Sequence, residues 1–341
     1  MKKKMLTLTI MIACVAMIAL FCGTGYAAVT GPCVDCHTMH NSQGGAEMAT
    51  FGDETGANSA LVRGSCMGCH TGTSDPLDDT TDFPYVNSST SAFSDDLCLA
   101  GGFFPATAGT GNNDDNHHGI GNTNDPAGIE TGSFYDGTTG LSCAGLNGCH
   151  GNETDTDNMA AISGGHHNPT GAYRILSVGG TDVIGYGAAD YEELIITTPA
   201  TEVVTTVGST QNVNLYSAGV SDPSISELCA KCHGDFHNES GTSDDAGSSG
   251  AWIRHPTDIA IPTSWDIGST TYTPDGNDYK QNPVGYDDAS FDITAKRVIC
   301  LSCHRAHGTE NADLLRWAYS TQSAGNSAAE YGCLGCHNKQ R

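Results

Sequence analysis

The chain has 341 residues, of which 38% are hydrophobic and 43 are glycine, and 39 acidic against 14 basic side chains give a net charge of −25. That balance disfavours a nucleic-acid partner, because phosphate contacts need a basic surface, and it favours solubility. The length suggests about two domains, yet glycine and long polar runs such as 74–94 and 107–131 leave too little apolar area for an ordinary core to offset chain entropy.

Residues 1–27 read as a signal peptide. Lys2, Lys3 and Lys4 precede an apolar run from Met5 to Phe21, and Gly25-Tyr26-Ala27 offers a small-x-small cleavage site. The run is near the lower limit for a membrane span, and a lipoprotein anchor on Cys14 or Cys22 lacks the right neighbours. Removing the three leader lysines takes the charge from −25 to −28.

The mature chain then carries Cys-x-x-Cys-His five times: Cys33, Cys36 and His37; Cys66, Cys69 and His70; Cys229, Cys232 and His233; Cys300, Cys303 and His304; Cys333, Cys336 and His337. Two thiols one helical turn apart can add across the two vinyl groups of one porphyrin, and the following histidine falls under the iron. Structural zinc needs cysteine pairs but no histidine directly after each. With 14 histidines in the chain, five successive hits by chance have odds on the order of one in ten million, so the pattern specifies c-type haem. The expected fold is a multihaem cytochrome c, mostly coil with few short helices and a small β-hairpin region, the haems forming the core. Attachment outside the cytoplasm agrees with export, to the cell exterior or outer surface or, alternatively, the periplasm.

Three regions follow the leader: an N-terminal haem-binding region at 28–175, a β-rich linker or insert at 176–226, and a C-terminal trihaem region at 227–341. The insert holds the β-branched runs Leu194–Thr197 and Val203–Val207, which read as strands or a hairpin. Helix is expected only as single turns at haem sites and over Ala312–Tyr319. The acidic run Asn152–Asn158 lacks the sixth-position glycine and final glutamate of an EF-hand and reads as a solvated loop.

Histidine supply decides the kind of haem. An iron with one axial histidine can do chemistry, whereas one with two mainly passes electrons. Candidate distal ligands are His40, His117, His118, His166, His167, His237, His255 and His307, with one member of each His-His pair expected to be spare. His40, His237 and His307 follow a motif histidine so closely that they cannot reach the opposite face of the same iron. Each is therefore expected on a neighbouring haem. Electron transfer is favoured over catalysis, and no enzyme activity is expected; a reductase would need an open iron.

A sixth site is irregular. Cys143 and Cys149 are separated by five residues before His150. It could hold a haem through both thiols. It could instead hold one through Cys149 alone, with Cys98 and Cys143 as a disulfide. The remaining alternative is a disulfide without haem. Six distal clusters match six haem c groups, of which five are certain by motif.

The segments Cys33–His40, Gly171–Leu176, Ser226–Asn238, Arg254-His255-Pro256 and Cys300–His307 together resemble the extracellular multihaem cytochromes that polymerise into conductive filaments in metal-reducing bacteria, most closely their hexahaem members. The resemblance spans nearly the whole mature chain and departs at the third site and across 71–170. It implies a homopolymer with head-to-tail contacts, in which His40 ligates a haem of the adjacent subunit. Other multihaem cytochromes and external acceptors such as metal oxides or electrodes are the implied partners. A monomeric periplasmic shuttle is the alternative.

Overall fold

The computed structural model describes residues 32–49, 56–57, 60–64, 66–72, 84–88, 101–103, 118, 141–168, 172–186, 214–218, 223–233, 255, 257–262, 283–286, 295–323 and 332–337. The leader, the runs at 194–197 and 203–207, Cys98, His117 and His237 lie outside the described residues.

Regular structure is short throughout. The first two motifs each form a single turn, α1 (Cys33–Cys36) and α2 (Cys66–Cys69). Between them β1 (Ser42–Gln43) and β2 (Ala46–Glu47) make a hairpin, and after them β3 (Thr71–Gly72) pairs in parallel with β4 (Asn87–Ser88). Helix α3 (Asn158–Ala161) follows the third site, and β5 (Ser177–Val178) and β6 (Thr181–Asp182) form a second hairpin. Strands β7 (Gly185–Tyr186) and β8 (Leu215–Ser217) lead to α4 (Ile225–Ala230), then β9 (Gly285–Tyr286), β10 (Lys296–Arg297) and α5 (Gly332–His337). One-turn helices close too few hydrogen bonds to stand alone, so capping and packing must hold them. Asp157 caps α3, its side chain accepting from the Ala160 N–H at 2.8 Å. Ser224 caps α4, accepting from the Glu227 N–H at 3.0 Å.

The apolar core among the described residues gathers at one four-stranded sheet in the order β10-β9-β8-β7. Strands β8 and β9 run parallel, and both outer pairs are antiparallel. Leu215, Tyr216, Val284, Tyr286 and Ile299 are buried there, with Val183, Ile225, Leu228 and Leu301 against them. Residues of the 176–226 segment thus share sheet and core with residues of 227–341. The core fixes the fourth and fifth motifs relative to each other: the Cys300 N–H donates to Ser226 Oγ at 3.2 Å, joining the Cys300 turn to α4.

Two local expectations fail. Ala312–Tyr319 is no helix; it holds a 3₁₀ turn at Ala312–Leu314 and starts another at Tyr319–Thr321. Asp313 and Leu314 are left-handed, at φ 58° and 55°, which no helix tolerates. Nor is Asn152–Asn158 wholly solvated: Glu153 is 8% exposed and forms an ion pair with Lys231.

The buried apolar cluster draws on residues between 176 and 301, and among the described residues the first two motifs have little beyond Ala49 and the Phe103–Tyr85 contact. We therefore expect haem-free protein to lack a cooperative thermal transition; calorimetry on chain expressed without haem attachment checks this.

Candidate haem-iron sites

Five of the sites share one backbone hydrogen bond. In four regular motifs the histidine N–H donates to the first cysteine's carbonyl: His37 to Cys33 at 2.7 Å, His70 to Cys66 at 2.8 Å, and His233 to Cys229 and His304 to Cys300 at 3.0 Å. The irregular segment keeps it, with His150 N–H on the Cys143 carbonyl at 3.0 Å. The extra residues bulge out between the two cysteines. Gly148 N–H donates to the Gly145 carbonyl at 3.0 Å, and a Cβ on Gly148 would lie 2.5 to 2.7 Å from the Ala144 backbone. Gly145 itself sits at φ +81°, where glycine avoids the strain of a side chain. Cys143 and Cys149 form no disulfide.

Five motif-type histidines face a second imidazole. Ring centres are 5.9 Å apart for His37 and His167, and 6.3 Å apart for His70 with His166, His118 with His233, His150 with His307, and His255 with His337. The planes meet at angles from 11° to 77°. Ring–ring attraction favours particular tilts; a near-constant separation with free twist is what two ligands on one axis produce. Two metal–imidazole bonds of about 2.0 Å, each continued to its ring centre, span about 6.3 Å. The residues therefore fit an iron held from both faces. For His304, no facing imidazole is present among the described residues.

The other ring nitrogen is anchored. Nδ1–H donates to a carbonyl from His37 (Leu61, 3.2 Å), His70 (Pro84, 2.8 Å), His150 (Arg174, 2.9 Å) and His304 (Asp313, 2.7 Å). The distal-type His118 and His307 do the same to Ala306 at 2.6 Å and Gly102 at 3.4 Å. Such a bond fixes the tautomer and leaves Nε2 for metal. Burial also favours the neutral ring that coordinates iron. It pushes His307 down to about 3, helped by His150, and His233 down to about 4, helped by His118 and His304.

Two of those carbonyls come from the same strained device. Arg174–Ile175 and Asp313–Leu314 are consecutive left-handed pairs. In each, the first carbonyl takes the histidine Nδ1–H, and the second takes the N–H of the residue after that histidine, Gly151 at 2.6 Å and Arg305 at 2.9 Å. Serving His304 is thus the reason the 312–319 stretch cannot be helical.

Thiols of successive sites lie close enough to interact from the second site onward, which orders the sites. Cys143 hydrogen-bonds Cys66, which raises its pKa along with burial, and Cys229 does so with Cys300 to the same effect. Burial raises Cys149, with the Cys232 thiol adding to it; burial likewise pushes Cys303 up to about 12, with Cys333 and Cys336 adding. His166 and His167, adjacent in sequence, serve the second and first sites. The line runs one to six in motif order.

The doubled CXXCH motif family matches residues 293–341, which hold the last two motifs. Residues 293–341 thus carry a paired c-type haem-attachment motif. No curated protein matches the chain's sequence. Among solved structures the chain is similar to the outer membrane cytochrome S filament from Geobacter sulfurreducens, at 20% identity over 86% of this chain and 84% of that one, with a TM-score of 0.41. A second match, the OmcS nanowires of Geobacter sulfurreducens, has 21% identity over 83% and 82% of the two chains and a TM-score of 0.40.

The structure brings His118, His166, His167, His255 and His307 to motif histidines, so neither member of the 166/167 pair is spare. His40 is exposed, at φ 55° beside buried Asn41. Asn41 accepts from the Ala49 N–H at 2.7 Å and donates to the Ala49 and Gly56 carbonyls at 3.0 and 2.9 Å, which fixes the turn presenting His40. The carbonyl anchors were missed by sequence reasoning; the shared Ile175-Leu176 and Leu314-Leu315 pairs after a motif were the available signal.

Gly148→Ala should force the third loop open and separate Cys143 from Cys149. Peptide mass mapping is expected to show haem lost from the Cys143–His150 peptide and retained on the other five.

Proposed function

We propose that this cytochrome transfers electrons along six bis-histidine haems and polymerises head to tail into an extracellular filament that serves acceptors such as metal oxides, electrodes or other multihaem cytochromes. Bound haem supplies the one-electron ferric–ferrous couple. The cysteines tether, the paired imidazoles leave no axial position for a substrate, and the carbonyl anchors hold the tautomer of the six rings they reach. The role is conduction rather than catalysis.

One observation carries the filament reading. His307 lies three residues after the fifth-site His304 and faces His150 of the third site, two places back along the line. His40 lies three residues after the first-site His37. Two places back from the first site, through the preceding copy, is the fifth site: His304, the motif histidine without a facing imidazole among the described residues. Exposed apolar side chains accompany His40, with Met39 70% and Val34 51% exposed, a surface suited to burial against another copy. A contact of this kind is heterologous and propagates rather than closes.

The sixth haem rests on the retained His150–Cys143 hydrogen bond and the His150–His307 pair. Intact mass is expected to give six covalent haems. Reduced protein should bind carbon monoxide poorly; rapid stoichiometric binding would favour an open-iron enzyme instead. His40→Ala should keep the haem count, turn one iron per subunit high-spin in low-temperature spin resonance, and shorten or abolish filaments in electron micrographs. Normal filaments with wholly low-spin iron would refute the ligand assignment.

A further inference from the structure

Between the third and fourth sites lies a cavity lined by Leu141, Leu146, Cys149, Leu228, Lys231 and Cys232. Lys231 sits inside the fourth motif, between Cys229 and Cys232, and Glu153 follows the third-site His150 by three residues. The two side chains form an ion pair although only 6% and 9% of them is exposed. Glu153 Oε2 also accepts the Gly179 N–H at 3.0 Å, so its position is fixed from the β5–β6 hairpin. Lys231 lowers and Glu153 raises the pKa of the Cys149 thiol, beneath the larger effects of burial and of Cys232. Both charges are therefore felt where the third porphyrin would be tethered.

Burying an ion pair is a poor route to stability, since desolvation can outweigh the attraction. What it supplies is a pair of opposite unit charges in a medium of low effective dielectric, where each acts strongly over several ångströms. A negative charge favours ferric iron and lowers a haem's reduction potential; a positive charge favours ferrous iron and raises it. We infer that the Glu153–Lys231 ion pair sets the reduction potentials of the third and fourth sites, and with them the electron-transfer step between the two. The inference rests on the haem assignment proposed above.

Spectroelectrochemical titration of fully matured Glu153→Gln and Lys231→Gln proteins tests it, each substitution deleting one charge while leaving a polar group for the partner. Glu153→Gln should raise at least one titration component and Lys231→Gln should lower one. Each shift is expected to be roughly tenfold in the reduction equilibrium, about 59 mV for one electron. Lys231→Arg should leave the titration in place, and the double Gln variant should return toward it. Shifts of the same sign, or no shift, in the two single variants would overturn the proposal. Loss of haem from both would do so too, marking the pair as a packing clamp. If only one variant matures, the sign of its shift decides. Peptide mass mapping of the wild type keeps the two readings apart: a third-site peptide without haem refutes the sixth haem, while opposite shifts at the fourth site would still support the charge pair.

Discussion

Two imidazoles on one iron must stand with ring centres about 6.3 Å apart, and most of the chain's organisation answers that demand. His118 faces His233, His150 faces His307, and His37 faces His167, so each of these three pairs closes a loop of more than a hundred residues. Loop-closure entropy grows only slowly with length, and such distant closures cost little more than near ones. A chain with 43 glycines and little apolar area can therefore be organised by a few strong, directional bonds and long tolerant loops. Its helices and strands need only be long enough to aim a ligand.

The aiming is done by backbone. A carbonyl receives Nδ1–H at both proximal and distal rings, and at His150 and His304 the carbonyl is turned to its task by two left-handed residues in succession. Non-glycine residues in that region cost free energy of order 1 to 3 kcal/mol each. Their recurrence at two sites argues that fixing the imidazole tautomer is worth that cost. The Phe103 region shows the same economy from the distal side: the Gly101 carbonyl accepts the His307 N–H at 2.7 Å, and the Gly102 carbonyl takes its Nδ1–H.

The attachment motifs were legible because thioether chemistry leaves a contiguous signature, as at Cys33–His37. The irregular site was half legible: Cys149-His150 resembles a motif end, but it is the His150–Cys143 hydrogen bond, the Arg174 carbonyl anchor and the facing His307 that relate it to the others. Ligand pairing was not legible, because His166 and His167 are neighbours in the chain yet serve different irons, and nothing local separates them. Ala312–Tyr319 misled for a related reason: its helical propensity is local, whereas the demand on the Asp313 carbonyl comes from His304. Glu153 read as a solvated acid because its partner, Lys231, lies in another motif.

The acidity constrains how copies can join. Chains of net charge −25 repel one another, and at physiological ionic strength that repulsion is screened beyond about 8 Å. Net charge thus opposes association at long range, and the assembly proposed above would rely on contacts of short range. An imidazole–iron bond is such a contact, and it specifies one orientation. The turn held by Asn41 keeps His40 at the surface, and Met39 and Val34 are exposed near it, apolar area that would contribute once a proposed His40–iron bond had brought two copies together. On the filament reading proposed above, solubility of the separate chain and growth in one register would both follow from charge over the surface combined with a ligand and its apolar neighbours at one contact.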